Sequence, residues 1–129
     1  MPPEESRYPR DWLRVAEKDW RRAERALDAA DAEEAGFWLQ QALEKYLKAY
    51  LLSREWELKR IHDLEILINE AAQLDSGFGG FQEVCRKISG YYLAERYPML
   101  SESSVTLDEV RESRDQVRAV VDLISRKLR

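Results

Sequence analysis

Cysteine and histidine each occur once in this 129-residue chain, as Cys85 and His62. One thiol closes no intramolecular disulfide, and one thiol with one imidazole supplies no His-x-x-x-His, Glu-x-x-His or cysteine-rich ligand set. Neither a disulfide scaffold nor a metal centre is expected. Long apolar runs are missing too. No stretch approaches the roughly 18 apolar residues of a membrane span, and the opening MPPEESRYPRDW lacks the apolar core of a signal peptide. These absences predict a cytoplasmic protein in a reducing compartment, with no membrane partner. Glycine and proline are scarce, five and four, and cluster near Pro2 to Pro9, Gly77 to Gly80, Gly90 and Pro98. GlyPheGlyGly at 77–80 lacks the Lys and Ser or Thr of a phosphate loop and reads as a turn, so no cofactor is expected. Alternating apolar and polar runs of strand length are absent, as are internal repeats. A positive excess is absent as well: 21 Lys and Arg stand against 25 Asp and Glu, for a net charge of −4. With no basic block in the chain, a nonspecific electrostatic grip on nucleic acid is not indicated, although a local basic patch stays compatible with the count.

What is present is charge and apolar surface in helical register. Hydrophobic residues are 44% of the chain and charged residues 36%, the mixture of helices with one greasy stripe and a charged outer face. Leu13, Ala16, Trp20, Ala23, Leu27 and Ala30 recur every three or four residues and predict a first helix after Pro9. Asp31 is a natural N-cap for a second helix running to about Ser53, with Glu33 and Glu34 in its first turn. That helix is apolar around so much of its circumference that it should be the central one. Leu64 to Leu74 predicts a third helix, Phe81 to Tyr92 a shorter fourth that Pro98 must end, and Leu107 to Leu128 a fifth. The fifth opens on the Thr106/Glu109 pair of a capping box and carries Arg114 as a polar exception in its seam. The expected fold is all-α, an antiparallel up-and-down bundle of about five helices, as one domain over residues 1–129 with a flexible lead-in at 1–9.

Three segments narrow this further: FWLQQALEKYLKAYLL at 37–52, IHDLEILI at 61–68 and YYLAERYP at 91–98. Together, in this order and spacing, they resemble the signature blocks of HEPN (higher eukaryotes and prokaryotes nucleotide-binding) domains, over roughly residues 10–128. The resemblance implies a helical bundle that is frequently a homodimer. It also implies nucleotide or RNA binding and partnership with a minimal nucleotidyltransferase in a toxin–antitoxin-like module. Many such domains are metal-independent ribonucleases with an Arg, four to six residues, then a His. Here His62 follows Arg60 by two positions and Arg54 by eight, so that motif is not matched and the expectation leans away from an enzyme. The alternatives are a ribonuclease toxin using Arg86 and Tyr92, which fit an Arg, five residues, Tyr variant, or a noncatalytic scaffold joining proteins.

Candidate ligand-binding residues follow from their chemistry. Tyr91, Tyr92, Arg96 and Tyr97 are the densest group of rings with a guanidinium, and a planar fork beside stacking rings suits phosphate and base. His62 could act as a base or touch phosphate, or simply cap and pack beside Asp63. Gln40, Gln41, Glu44, Lys45 and Lys48 form a polar stripe on the second helix. Its default reading is a solvated face, and its alternative is the border of a ligand cleft or partner surface, with Lys45 the residue to test. Trp20 and Trp38 are expected in the core, and Trp12 and Trp56, near helix ends, are expected to be more exposed and available for a dimer contact.

Overall fold

A computed structural model describes residues 6–96 and 105–128, with backbone only over 92–96. Five α-helices make up its regular structure: α1 (Pro9–Asp28), α2 (Ala32–Ser53), α3 (Leu64–Leu74), α4 (Gln82–Arg96) and α5 (Leu107–Leu128). A 3-10 turn, Ser76–Phe78, follows α3. Among the described residues there is no strand, and the chain is an all-α antiparallel bundle. No described helix is long and apolar enough to cross a membrane.

The helix boundaries have local causes. Pro9 occupies the first turn of α1, where its missing N–H costs nothing. Between α1 and α2, Ala30 adopts a left-handed φ of 60°, and Asp31 then caps α2 by accepting from the Glu34 N–H. Asp63 caps α3 through the Glu65 and Ile66 N–H groups. The Thr106 hydroxyl accepts from the Glu109 N–H at 3.1 Å, as the capping box predicts for α5. Residues 6–8 of the expected flexible lead-in are held in place. Ser6 is buried, donates to Asp11 at 2.7 Å, and offers its carbonyl to the Trp12 indole N–H at 2.8 Å.

α2 is the hub, touching each of the other four helices. Leu39, Leu43, Leu47 and Leu51 form its fully buried row, and truncating any one to alanine should cost on the order of 2–5 kcal/mol. Leu67 and Ile68 of α3, Cys85 and Ile88 of α4, and Val110, Val117 and Ile124 of α5 close around it. Phe78, in the 3-10 turn, plugs the end of the core against Tyr50, ring centroids 4.6 Å apart. Burial pushes the Cys85 thiol up to about 12, helped by the Glu65 and Asp63 carboxylates.

Three expectations about packing need correction. The first tryptophan, Trp12, is not exposed: it is 2% accessible, because α1 is covered on two flanks and the lead-in folds over its start. Trp38 is only half-buried, its indole N–H turned to Glu34 at 2.9 Å. In α5 it is Ser113 that lies inside, while Arg114 turns to Glu24 of α1 and to Asp115.

Candidate functional site

The stripe of polar residues on α2 is not a solvated face. Gln40, Glu44 and Lys48 are 3%, 6% and 2% accessible, because α1 lies along one side of them and the connection from Arg54 to Asp63 runs back along the other. That connection starts with a left-handed Glu55, φ 63°, which turns the chain as α2 ends. It finishes where Asp63 caps α3, and the Leu64 N–H is held by the Ser89 hydroxyl of α4 at 3.1 Å. His62, one residue before the cap, is thereby fixed over α2.

Between these walls lies a groove of about 910 Å³. Its floor is a chain of polar contacts. Glu44 Oε2 accepts from Lys48 Nζ and faces His62 Nδ1, each at 3.0 Å. Glu44 Oε1 accepts from Gln40 Nε2 at 3.2 Å, and Gln40 Oε1 accepts from Gln41 at 2.7 Å. Gln41 in turn accepts from Lys45 at 3.2 Å, and Lys45 reaches across to Asp19 of α1 at 2.6 Å. Arg22 donates to the same carboxylate at 2.7 Å. No buried side-chain polar atom among the described residues is left without a partner, which is what makes a buried polar network tolerable in low dielectric.

Rings accompany the cations. Lys48 Nζ sits 5.3 Å from the centroid of the Trp12 ring and the Arg22 guanidinium 4.7 Å from that of Trp38, both in cation–π range. Phe37 meets Trp38 edge to face at 5.1 Å. Lining cations Arg22, Lys45, Lys48, Lys59 and Arg60 outnumber lining acids Asp19, Glu44 and Asp63 by five to three. The His62 side chain is 72% accessible although its Nδ1 is engaged, so its ring edge faces the opening. A cationic groove with partly exposed rings can take a phosphate on its basic groups and a flat apolar group on its walls.

Of the residues singled out from sequence, Lys45 and His62 come together here. Tyr91 does not join them: its ring packs against Gly36 of α2, and its hydroxyl meets Ser113 Oγ at 2.9 Å. Burial raises its phenol above the ordinary value, with the Ser113 contact opposing. Arg86 lies on the outside, bonded through Nε to Glu65 of α3 at 3.1 Å. That bond holds the Glu65 carboxyl below its usual range. The side chains of Tyr92 and Arg96, together with Tyr97 and Pro98, lie outside the described residues. Asp19 and Arg22 were not anticipated as site residues, whereas Lys48 belonged to the stripe whose alternative reading was the border of a cleft. The signal for Asp19 was an acid one turn after Val15 and two turns after Trp12 on an otherwise apolar flank.

The geometry can be set beside known proteins. A family model described as the HEPN domain matches residues 9–128. No curated protein sequence matches the chain. Among solved structures it is similar to TT1696 from Thermus thermophilus, with a TM-score of 0.77 at 26% identity, over 92% of this chain and 97% of that one.

Proposed function

The chain belongs to the HEPN family, and from that premise we propose that it binds a nucleotide or an RNA end in the groove over α2. One observation carries this reading: Arg22, Lys45 and His62 line the same groove as Trp38 and Phe37. An anionic phosphate would displace part of the Lys45–Asp19 or His62–Glu44 contact, with Arg22 left to hold Asp19 and with Gln40 and Lys48 left to hold Glu44. A base would lie against the Phe37/Trp38 wall. Resemblance to the family adds a homodimer and a minimal nucleotidyltransferase partner in a toxin–antitoxin-like module as the setting for that binding.

Calorimetric titration with ATP, GTP and UMP tests the proposal. Charge-assisted hydrogen bonds contribute about 1.5–3 kcal/mol, so Lys45→Ala and His62→Ala should each weaken binding roughly ten- to a hundredfold. His62 is exposed, so its variant should keep the fold. Heat indistinguishable from dilution for all three nucleotides would remove this reading.

A further inference from the structure

The outer face of α1 carries a feature that net charge conceals. Arg10, Arg14, Lys18, Arg21 and Arg25 are all exposed and follow one another every three or four residues, which puts them in one row along the helix. At about 1.5 Å per residue the row is roughly 22 Å long, with a cation about every turn. Of the five acids of α1, two are ion-paired away from the row and a third accepts from a hydroxyl. Asp19 is buried against Arg22 and Lys45, Glu24 turns to Arg114 and Arg118 of α5, and Asp11 is bonded by Ser6. Glu17 is half-buried, and Asp28, at the helix end, is the exposed acid of α1. None of the five cations forms an ion pair with another described residue among the salt bridges of α1, which run through Asp19 and Glu24. Exposed charges on α5 behave differently: Asp108, Arg111, Asp115, Arg118, Asp122 and Arg126 mix both signs. The row is thus a property of α1 and not of a generally charged surface.

We infer that this row is a docking strip for the backbone of single-stranded RNA whose end enters the groove. Evenly spaced cations without ion-pair partners among the described residues complement a polyanion with a repeating charge, and a flexible strand can follow a straight row. Arg22 joins the two surfaces, since it lies beside Lys18 and Arg25 on the helix and also stacks on Trp38 in the groove. Tyr8, 68% accessible at the start of α1, offers a stacking ring at the far end. The inference deepens the groove reading, from which it takes the class of ligand.

The test compares a fluorescein-labelled oligouridylate, long enough to span α1, with the mononucleotide UMP. The probes are the wild-type chain, the triple variant Arg14→Gln/Lys18→Gln/Arg21→Gln, and Lys45→Ala. For a single strand, log K falls with log salt by about 0.7 per phosphate neutralised. A strand on all five cations should therefore give a slope near 3.5, and the triple variant should lower it by about 2. UMP affinity should be the same in the triple variant as in the wild type, and weaker in Lys45→Ala. A salt slope that the triple variant leaves unchanged overturns the strip, as does capture of the wild type by phosphatidylserine vesicles but not by oligouridylate. Loss of UMP binding in the wild type with the RNA slope intact would sink the groove and leave the strip standing. The three substituted side chains of the row are exposed, and circular dichroism of all variants checks that they keep the helices.

Discussion

At the scale of single residues, the most consequential pair is Glu44 and Lys48, two opposite charges inside the protein one helical turn apart. Placing them there costs desolvation that only mutual contact and further hydrogen bonds offset. Glu44→Leu alone strands the Lys48 ammonium against Trp12 and should destabilise by about 3–5 kcal/mol in urea unfolding. Adding Lys48→Met should bring most of that back, because the two apolar side chains then fill the same volume without a charge. A double variant no more stable than the single one would show that the pair is not the cause. This burial could not be read from the sequence. Residues 40, 41, 44, 45 and 48 have the composition of a wet helix face, and i, i+4 spacing looks the same in water and under a covering segment. What covers them is the connection at 54–63, a stretch without helical period. Lys45 and His62 were legible as candidates because their chemistry marks them, whereas Asp19 was hidden among the many acids of α1.

At the scale of elements, two glycines separate close approach from indifference. A Cβ on Gly36 would meet Tyr91 Cβ and Cγ at 3.0 Å, where α4 crosses α2, while one on Gly90 would meet nothing within 4 Å. Helix propensity alone favours alanine at both sites by up to about 1 kcal/mol. Gly90→Ala should show that gain as a raised melting temperature. Gly36→Ala should reverse the sign, since overpacking costs on the order of 1–3 kcal/mol and Tyr91 is tethered to Ser113. Equal shifts in the two variants would mean that α2 and α4 can separate freely. The helices themselves were plain from three- and four-residue spacing, and the Asp31 and Thr106 caps fell where their side chains indicated. Less legible was which flank of a helix is covered. Ala16, Ala23 and Leu27 of the α1 stripe are buried and Leu13 and Trp20 only half-buried, while Trp12 and Asp19 on the neighbouring flank go inside, because two partners cover α1 where the stripe implied one.

For the whole molecule, the last turn of α5 is fastened to the turn after α3 by Lys127 and Asp75 at 2.6 Å. The Lys127 hydrogen bond, then the Gly77 N–H, hold the Asp75 carboxyl below its ordinary value. A carboxyl that ionises more readily when folded stabilises the fold above the ordinary aspartate range and loses that contribution as pH falls through the lowered value. Asp75→Asn should therefore unfold at lower temperature than wild type near neutrality, and the difference should close on acidification. A gap that is constant from neutral to acid pH would rule out the linkage. Charge at this scale is uneven: a molecule of net −4 carries on α1 a row of one sign, which counting totals could not reveal and helical period could.

Cys85 gives the experimenter something for free. With a titration point near 12 and no accessible surface, the sulfur is almost entirely protonated and out of reach of alkylating reagents in the native state. Every adduct it forms is a timestamp of the core around α4 having opened, so the chain carries its own stopwatch for breathing motions, with no label to engineer.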